Sequence, residues 1–152
     1  MISSDLAGFL EDGVGVHIGT RNEILEPNGA RAIAIQADPD RLHVSIFMAA
    51  GAALRVLPDL RGNGQAAVTC ARPSDDRACQ IKGTFVDVRP ATTSDRAAMD
   101  AKWMLFQDNL ERIGVSRQGM KDWVTWPAVV IRVRVTAVFD QTPGTAAGAQ
   151  LS

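Results

Sequence analysis

The sequence predicts a mainly β protein: six antiparallel strands closing into a small barrel, with two main helices at its margins. Three observations carry that prediction. Apolar residues alternate over 128–139, where Val129, Ile131, Val133, Val135, Ala137 and Phe139 take turns with Arg132, Arg134 and Thr136. Short runs of Gly, Pro, Asn and Asp separate most of the other alternating segments, so neighbouring strands should pair antiparallel. Met99, Trp103, Phe106, Leu110 and Ile113 step by four, three, four and three, the stripe of one long amphipathic helix.

Taken in order, residues 3–12 read as a short helix capped by Ser3 or Ser4, with Leu6, Phe9 and Leu10 on one side. Residues 13–20 alternate: Val14, Val16 and Ile18 share one face, and Gly13, Gly15, His17 and Gly19 the other. Alternate glycines in a strand fit either the close approach of another group or a tight bend. Residues 21–28 read as a connection with Pro27, Asn28 and Gly29 as turn residues. Strands follow at 30–37, with Arg31, Ile33 and Ile35 on one side, and at 41–48, with Leu42, Val44 and Ile46 aligned. Residues 50–61 carry helical spacing that Pro58 should break or kink. Residues 65–72 form a fourth strand with Ala66, Val68 and Cys70 aligned. Residues 77–89 form a long fifth, whose apolar parity shifts after Phe85 and so predicts a bulge. The helix at 94–113 starts at a Ser94 cap and ends at Gly114; residues 115–126 are irregular, and 128–139 is the last strand. The division is a barrel domain over 1–140 and a tail over 141–152 that is either mobile or needs a surface to settle on.

Bulk properties exclude several classes. With 152 residues, 46% apolar, the chain fits one domain with a real core. A net charge of −1 with 22% charged residues leaves no electrostatic footprint for nucleic acid or an anionic membrane. No apolar run approaches the roughly 18 residues of a membrane helix, and the N-terminus has no secretory pattern. Cys70 and Cys79 are too few for a disulfide scaffold, and their symmetric placement about Ser74–Asp75 suggests two free thiols facing each other across a hairpin. A cytoplasmic protein is the expectation. No P-loop, CxxC, HExxH or nucleophile elbow is present, and GVGVHIG is no dinucleotide fingerprint because no helix follows it.

The segment RPSDDRACQIKG at 72–83 is the most informative. It turns at Arg77 and then presents Gln80, Lys82 and Thr84 on one face. Cations and an amide on one ribbon suit an anionic planar ligand; they suit equally the wet side of a half-exposed strand. The pattern Arg77-x-x-Gln80-x-Lys82-Gly83 resembles the hairpin strand of the pyridoxamine 5′-phosphate oxidase-like family. Upstream, Arg31-Ala-Ile-Ala-Ile-Gln36 resembles that family's early strand, and the run from Leu54 through Asn63-Gly64 to Val68 resembles its short helix, Asn-bearing turn and next strand. The order of elements matches over about residues 10–140.

That resemblance implies a split β-barrel, a homodimer, and FMN held in a groove between subunits. By position, Arg31 and Ile33 would flank the flavin, Ile33 through its backbone. Gln80 would face the ring system, with Arg77 on the same hairpin. Arg55 and Lys82 are the candidates for the phosphate, and Trp126 would cover the ring from the other subunit, unless it is a plain core tryptophan. Many family members carry a Ser/Thr-Arg-Lys run after the third strand; here Met48-Ala49-Ala50-Gly51-Ala52 has no charge. The chain also has no tyrosine and lacks the Arg- and His-bearing C-terminal segment with which true pyridoxamine phosphate oxidases hold their substrate. The expected activity is an FMN-dependent oxidoreductase with a small-molecule substrate, in which the cofactor carries the electrons. The rival is a non-catalytic dimeric module that binds a flavin or haem; His17 or His43 would then be the axial ligand, against the plainer reading of two hydrogen-bonded strand histidines.

Overall fold

The computed structural model describes residues 2–151; Met1 and Ser152, the outer ends of the ranges 1–140 and 141–152, lie outside it. Helix α1 spans Ser4–Glu11, where the Ser3 hydroxyl accepts from the Leu6 N–H at 3.1 Å and so caps the first turn. The strands are β1 (Gly15–Arg21), β2 (Pro27–Ala32), β3 (Ala34–Ala37), β4 (His43–Ala49), β5 (Gln65–Ala71), β6 (Ala78–Pro90), β7 (Ala128–Asp140) and the two-residue β8 (Gln150–Leu151). Helices α2 (Ala50–Ala53) and α3 (Leu57–Asn63) lie between β4 and β5, and α4 (Thr93–Arg112) between β6 and β7.

All pairings are antiparallel, in the order β2-β1-β5-β6-β7-β4-β3, with β8 on β7. The two ends of that order are consecutive pieces of one ribbon. Residues 27–32 pair with β1 and residues 34–37 pair with β4, and between them the Ile33 N–H donates to the Phe47 carbonyl at 2.8 Å. The sheet therefore curls round until its ends meet in a single segment, which is the barrel. The sequence counts this ribbon as one strand; the change of partner at Ile33 divides it into two.

That change also corrects the expected facing. Arg31 and Ile33 lie outside the barrel and Ile35 inside it, because the ribbon's parity slips at Ile33–Ala34: Ile33 and Ala34 both pack in the outer cluster, while Ala32 and Ile35 pack in the inner one. The inner cluster fills the barrel with Val16, Ile18, Val44, Ile46, Val68, Ile81, Ile131 and Val133. The outer cluster sits on the far side of β3, β4 and β7. There α4 lays Met99 and Trp103 over Ile33, Phe47, Ala49 and Val130. Helix α4 thus covers the outer face of β3, β4 and β7 and, through Phe106 beside Gly15 and Arg31, the near ends of β1 and β2, and it leaves the rest of the face made by β1, β5 and β6 uncovered.

Several local expectations change. Pro27–Gly29 belong to β2, and the turn lies at 22–26, where Asn22 Oδ1 accepts from the N–H groups of Ile24 and Glu26. Pro58 sits in the first turn of α3, where its missing donor costs nothing, so the helical run at 50–61 is two short helices. Thr92, not Ser94, caps α4, in a capping box with Asp95. In the helix stripe Ile113 is exposed, while Asn109 is buried and donates to the carbonyls of Asp12 and Gly13 at 3.0 and 2.9 Å. The bulge expected in β6 is present, with register shifts at Lys82/Gly83 and Phe85/Asp87.

Candidate functional site

Register builds a row of polar side chains on the outer face beside α4. Arg31 pairs with His17, His17 with Thr69, and Thr69 with Gln80, so the four stand side by side across β2, β1, β5 and β6. One row along, Gly29, Gly19, Ala67 and Lys82 align in the same way. The floor is therefore backbone and methyl groups, with polar side chains standing along it. A flat molecule can lie close to such a floor.

Three concave surfaces join here. The first, about 470 Å³, is lined by Arg31, His17, Thr69, Gln80 and Arg55. The second shares Gly19 and Ala67 with it and continues to Lys82 and Thr84, with a volume of about 590 Å³. The third, about 480 Å³, shares Arg31 and lies on the α4 side, walled by Ile33, Ala52, Trp103 and Trp123. Together they form one trough with Arg31 at its junction.

Arg31 is the unusual member. Its guanidinium carbon lies 3.5 Å from the centre of the Trp123 ring and 5.4 Å from that of Phe106. Among the described residues it has no ion-pair partner and no hydrogen-bond acceptor, and its Nε is buried without one. Burial lowers its pKa from the ordinary value. Burial, and then the charge of Arg31, likewise lower His17, which favours its neutral imidazole. An arginine held this way, in hollows whose linings carry no carboxylate, has N–H groups free to donate to an anion.

Not every sequence candidate reaches the trough. Arg31, Arg55, Gln80 and Lys82 line it. Ile33 lines the third surface, but its N–H is taken by Phe47. Arg77 lies elsewhere: it pairs with Asp5, stacks over Phe9 at 4.7 Å, and lines a separate hollow beside β8. Trp126 packs beside α4 with Arg96 4.7 Å from its ring, and lines none of the three surfaces. Trp123 was not a candidate from sequence, because nothing in an irregular segment signals that its ring will cover an arginine. The uncharged stretch after the third strand faces this site through Ala49, Gly51 and Ala52.

Two other clusters are already satisfied. Asp38, Asp40 and His43 lie within 4.8 Å of one another, but Arg132 bonds both carboxylates, at 2.7 and 3.2 Å, and Asp40 holds His43. Cys70 and Cys79 pair across the hairpin as free, buried thiols inside the barrel; their mutual hydrogen bond and burial push Cys70 well above the ordinary thiol range.

A sheet that closes on one bent ribbon, covered in part by a helix and in part bearing an open trough, is the split barrel of the pyridoxamine 5′-phosphate oxidase-like flavin-binding proteins. No family model and no curated protein matches the sequence; the likeness is one of structure. An F420 reductase superposes with a TM-score of 0.58 at 15% identity, over 86% of this chain and 93% of that one. HupZ of Group A Streptococcus gives 0.57 at 16%, over 97% and 100%. An FMN-binding protein from Syntrophomonas wolfei subsp. wolfei gives 0.52 at 10%, over 88% and 86%.

Proposed function

We propose that the trough holds a phosphate-bearing flavin, with FMN as the leading candidate, and that the protein works as a homodimeric flavin-dependent oxidoreductase on a small molecule. The observation that carries this reading is the aligned row Arg31–His17–Thr69–Gln80 over a floor of Gly19, Gly29 and Ala67. The residues present fit such a group. Gln80 offers an amide to a ring edge, Arg31 offers unpartnered N–H groups, and Arg55 and Lys82 offer cations for a phosphate. The bound flavin would supply hydride or electron transfer. The chain's own part is to orient the ring, keep the neutral His17 beside it, and shield one side with Trp123. The split barrels named FMN-binding protein and F420 reductase support a flavin-type occupant.

The uncovered part of the sheet supports the homodimer. Gly19, Ala67 and Ala71 on its outer face allow a second backbone to approach closely, and a partner there would cover the trough.

Purified protein titrated with FMN tests the reading. A yellow complex should form, and Gln80→Ala combined with Lys82→Ala should weaken it about tenfold or more, the size of losing charge-assisted contacts. Bleaching of the complex by NADH or NADPH would mark a reductase. A colourless protein that FMN cannot reconstitute ends the proposal. A second reading rests on His17: its neutral imidazole, flanked on β1 by Gly15 and Gly19, suits an axial haem ligand. A Soret band that His17→Ala removes would favour that module instead.

A further inference from the structure

Cys70 and Cys79 are the two cysteines of the chain, and the trough uses neither. Strand register sets them directly opposite each other on β5 and β6. Opposed residues of an antiparallel pair have Cα atoms about 4.5–5.5 Å apart, inside the roughly 4.4–6.8 Å that a disulfide spans. Both side chains belong to the inner cluster, so their Cβ atoms leave the sheet on the same side, as the bond requires.

The two thiols are not equivalent. Cys70 is fully buried and donates its S–H to the Cys79 sulfur. That hydrogen bond, helped by the charge of Arg77 and opposed by burial and by Asp140, holds Cys79 below the ordinary thiol range, whereas Cys70 lies above it. Cys79 is thus the better thiolate. The pair also lies near a strand end. Only Ala71 and Ala78 separate it from the turn at 72–77. That turn is fastened to α1 by Arg77 on Asp5 and Arg72 on Asp12, with the two guanidiniums 4.7 and 5.5 Å from the Phe9 ring. Both carboxylates are exposed. Ion pairs of that kind hold weakly, so this hairpin end opens at lower cost than the middle of the barrel.

The opposite face of the same strands carries the trough. One residue along, Thr69 stands opposite Gln80, and both line the hollow beside Arg31. A disulfide draws its Cβ atoms to about 3.8 Å, closer than the roughly 4.5–5.5 Å of opposed residues. Closing that gap turns β5 against β6 at the next pair.

We propose that Cys70 and Cys79 are a reversible disulfide site, with Cys79 the attacking sulfur, and that closing it resets the spacing of Thr69 and Gln80 in the trough. The oxidant is a low-molecular-weight disulfide such as oxidised glutathione. The Cys79 thiolate attacks one of its sulfurs, the S–S bond breaks, and the first glutathione leaves as a thiolate and takes up a proton. Cys70 then gives its proton to water and attacks the Cys79 sulfur, and the second glutathione leaves and is protonated in turn. Two electrons pass from the cysteines to the glutathione disulfide, and a reduced dithiol returns them.

The full chain is equilibrated without oxygen in graded mixtures of reduced and oxidised glutathione, then quenched with acid and weighed by mass spectrometry. It should lose the mass of two hydrogens as the oxidised share rises and regain it with dithiothreitol. Cys70→Ser should stop at one glutathione adduct on Cys79, and Cys79→Ser should take up glutathione at least tenfold more slowly. In the unaltered chain the side-chain amide resonance of Gln80 should move on oxidation, while the backbone amide of Ile46 on β4 stays in place. The unaltered chain decides the matter if either variant fails to fold. A native chain that keeps both thiols in oxidised glutathione, equal adduct rates in the two variants, or an unmoved Gln80 resonance would overturn the proposal. None of these readouts needs a bound flavin, so a failure here is distinct from a failure of the flavin reading.

Discussion

Arg31 and His17 are neighbours whose charges oppose each other. Burial and the guanidinium both make protonation of His17 harder in the folded chain than in the unfolded one. The unfolded state therefore binds that proton more tightly, and this contribution to stability is lost as pH falls through and below the ordinary value of 6.5. His17→Gln should remove that slope; comparing urea midpoints of the two proteins at about pH 5 and about pH 7.5 reads it. Gly83 shows a different single-residue constraint. A Cβ there would overlap the Arg134 carbonyl and the Val133 side chain, at the point where β6 shifts register. Gly83→Ala should cost about 1–3 kcal/mol by overpacking, seen as a lower denaturant midpoint with unchanged slope. Asn109→Ala should lose a similar amount, because the carbonyls of Asp12 and Gly13 lose their side-chain donor.

Among the elements, α4 depends on its first turn. The Asp95 carboxylate accepts from the Thr92 N–H and pairs with Arg89, and Arg89 above all holds it well below the usual carboxylate range. That stability is full above the unfolded value of about 3.9 and is lost as pH falls below it. Thr92→Ala should cost about 1 kcal/mol, measured by thermal unfolding at neutral pH. How much of this was legible follows from what each element asks of its sequence. Strand β7 and helix α4 were plain, since one alternates and the other steps at helical spacing over many residues. The facing of β1 and β5 was plain for the same reason. The parity slip at Ile33–Ala34 was not, because Ala30, Ala32 and Ala34 fit either side of a sheet and only the change of partner decides. Strand parity puts Gln80 and Lys82 on one face, whereas Arg31 and Arg55 are candidates only by the order of the resembling segments, and Arg55 lies between α2 and α3 rather than on a strand. The surroundings of Arg77 are not legible, because an arginine at a hairpin mouth reads the same whether it meets a ligand or, as here, Asp5 and Phe9. Trp123 was missed because its position depends on a turn, Arg117–Met120, anchored by Met120 and by Arg117 on Glu111.

For the molecule as a whole, the asymmetry of the outer surface matters most. One part is sealed by α4 and the rest is left as a small-residue face bearing the trough. A dimer of 16.3 kDa chains should therefore sediment at twice that mass at micromolar concentration; a monomer would contradict the pairing. The barrel's closure carries a further consequence. Residues 27–37 answer to two neighbours at once, β1 on one flank and β4 on the other, and the two demand opposite phases of in and out. The extra residue at Ile33–Ala34 is what reconciles them. Substitutions elsewhere in this stretch can be absorbed by repacking, whereas losing Ala34 leaves no phase that serves both flanks: either Arg31 turns into the apolar interior or Ile35 turns out to water. The length of this stretch is thus fixed more tightly than its composition, and the aim of Arg31 toward Trp123 depends on that count.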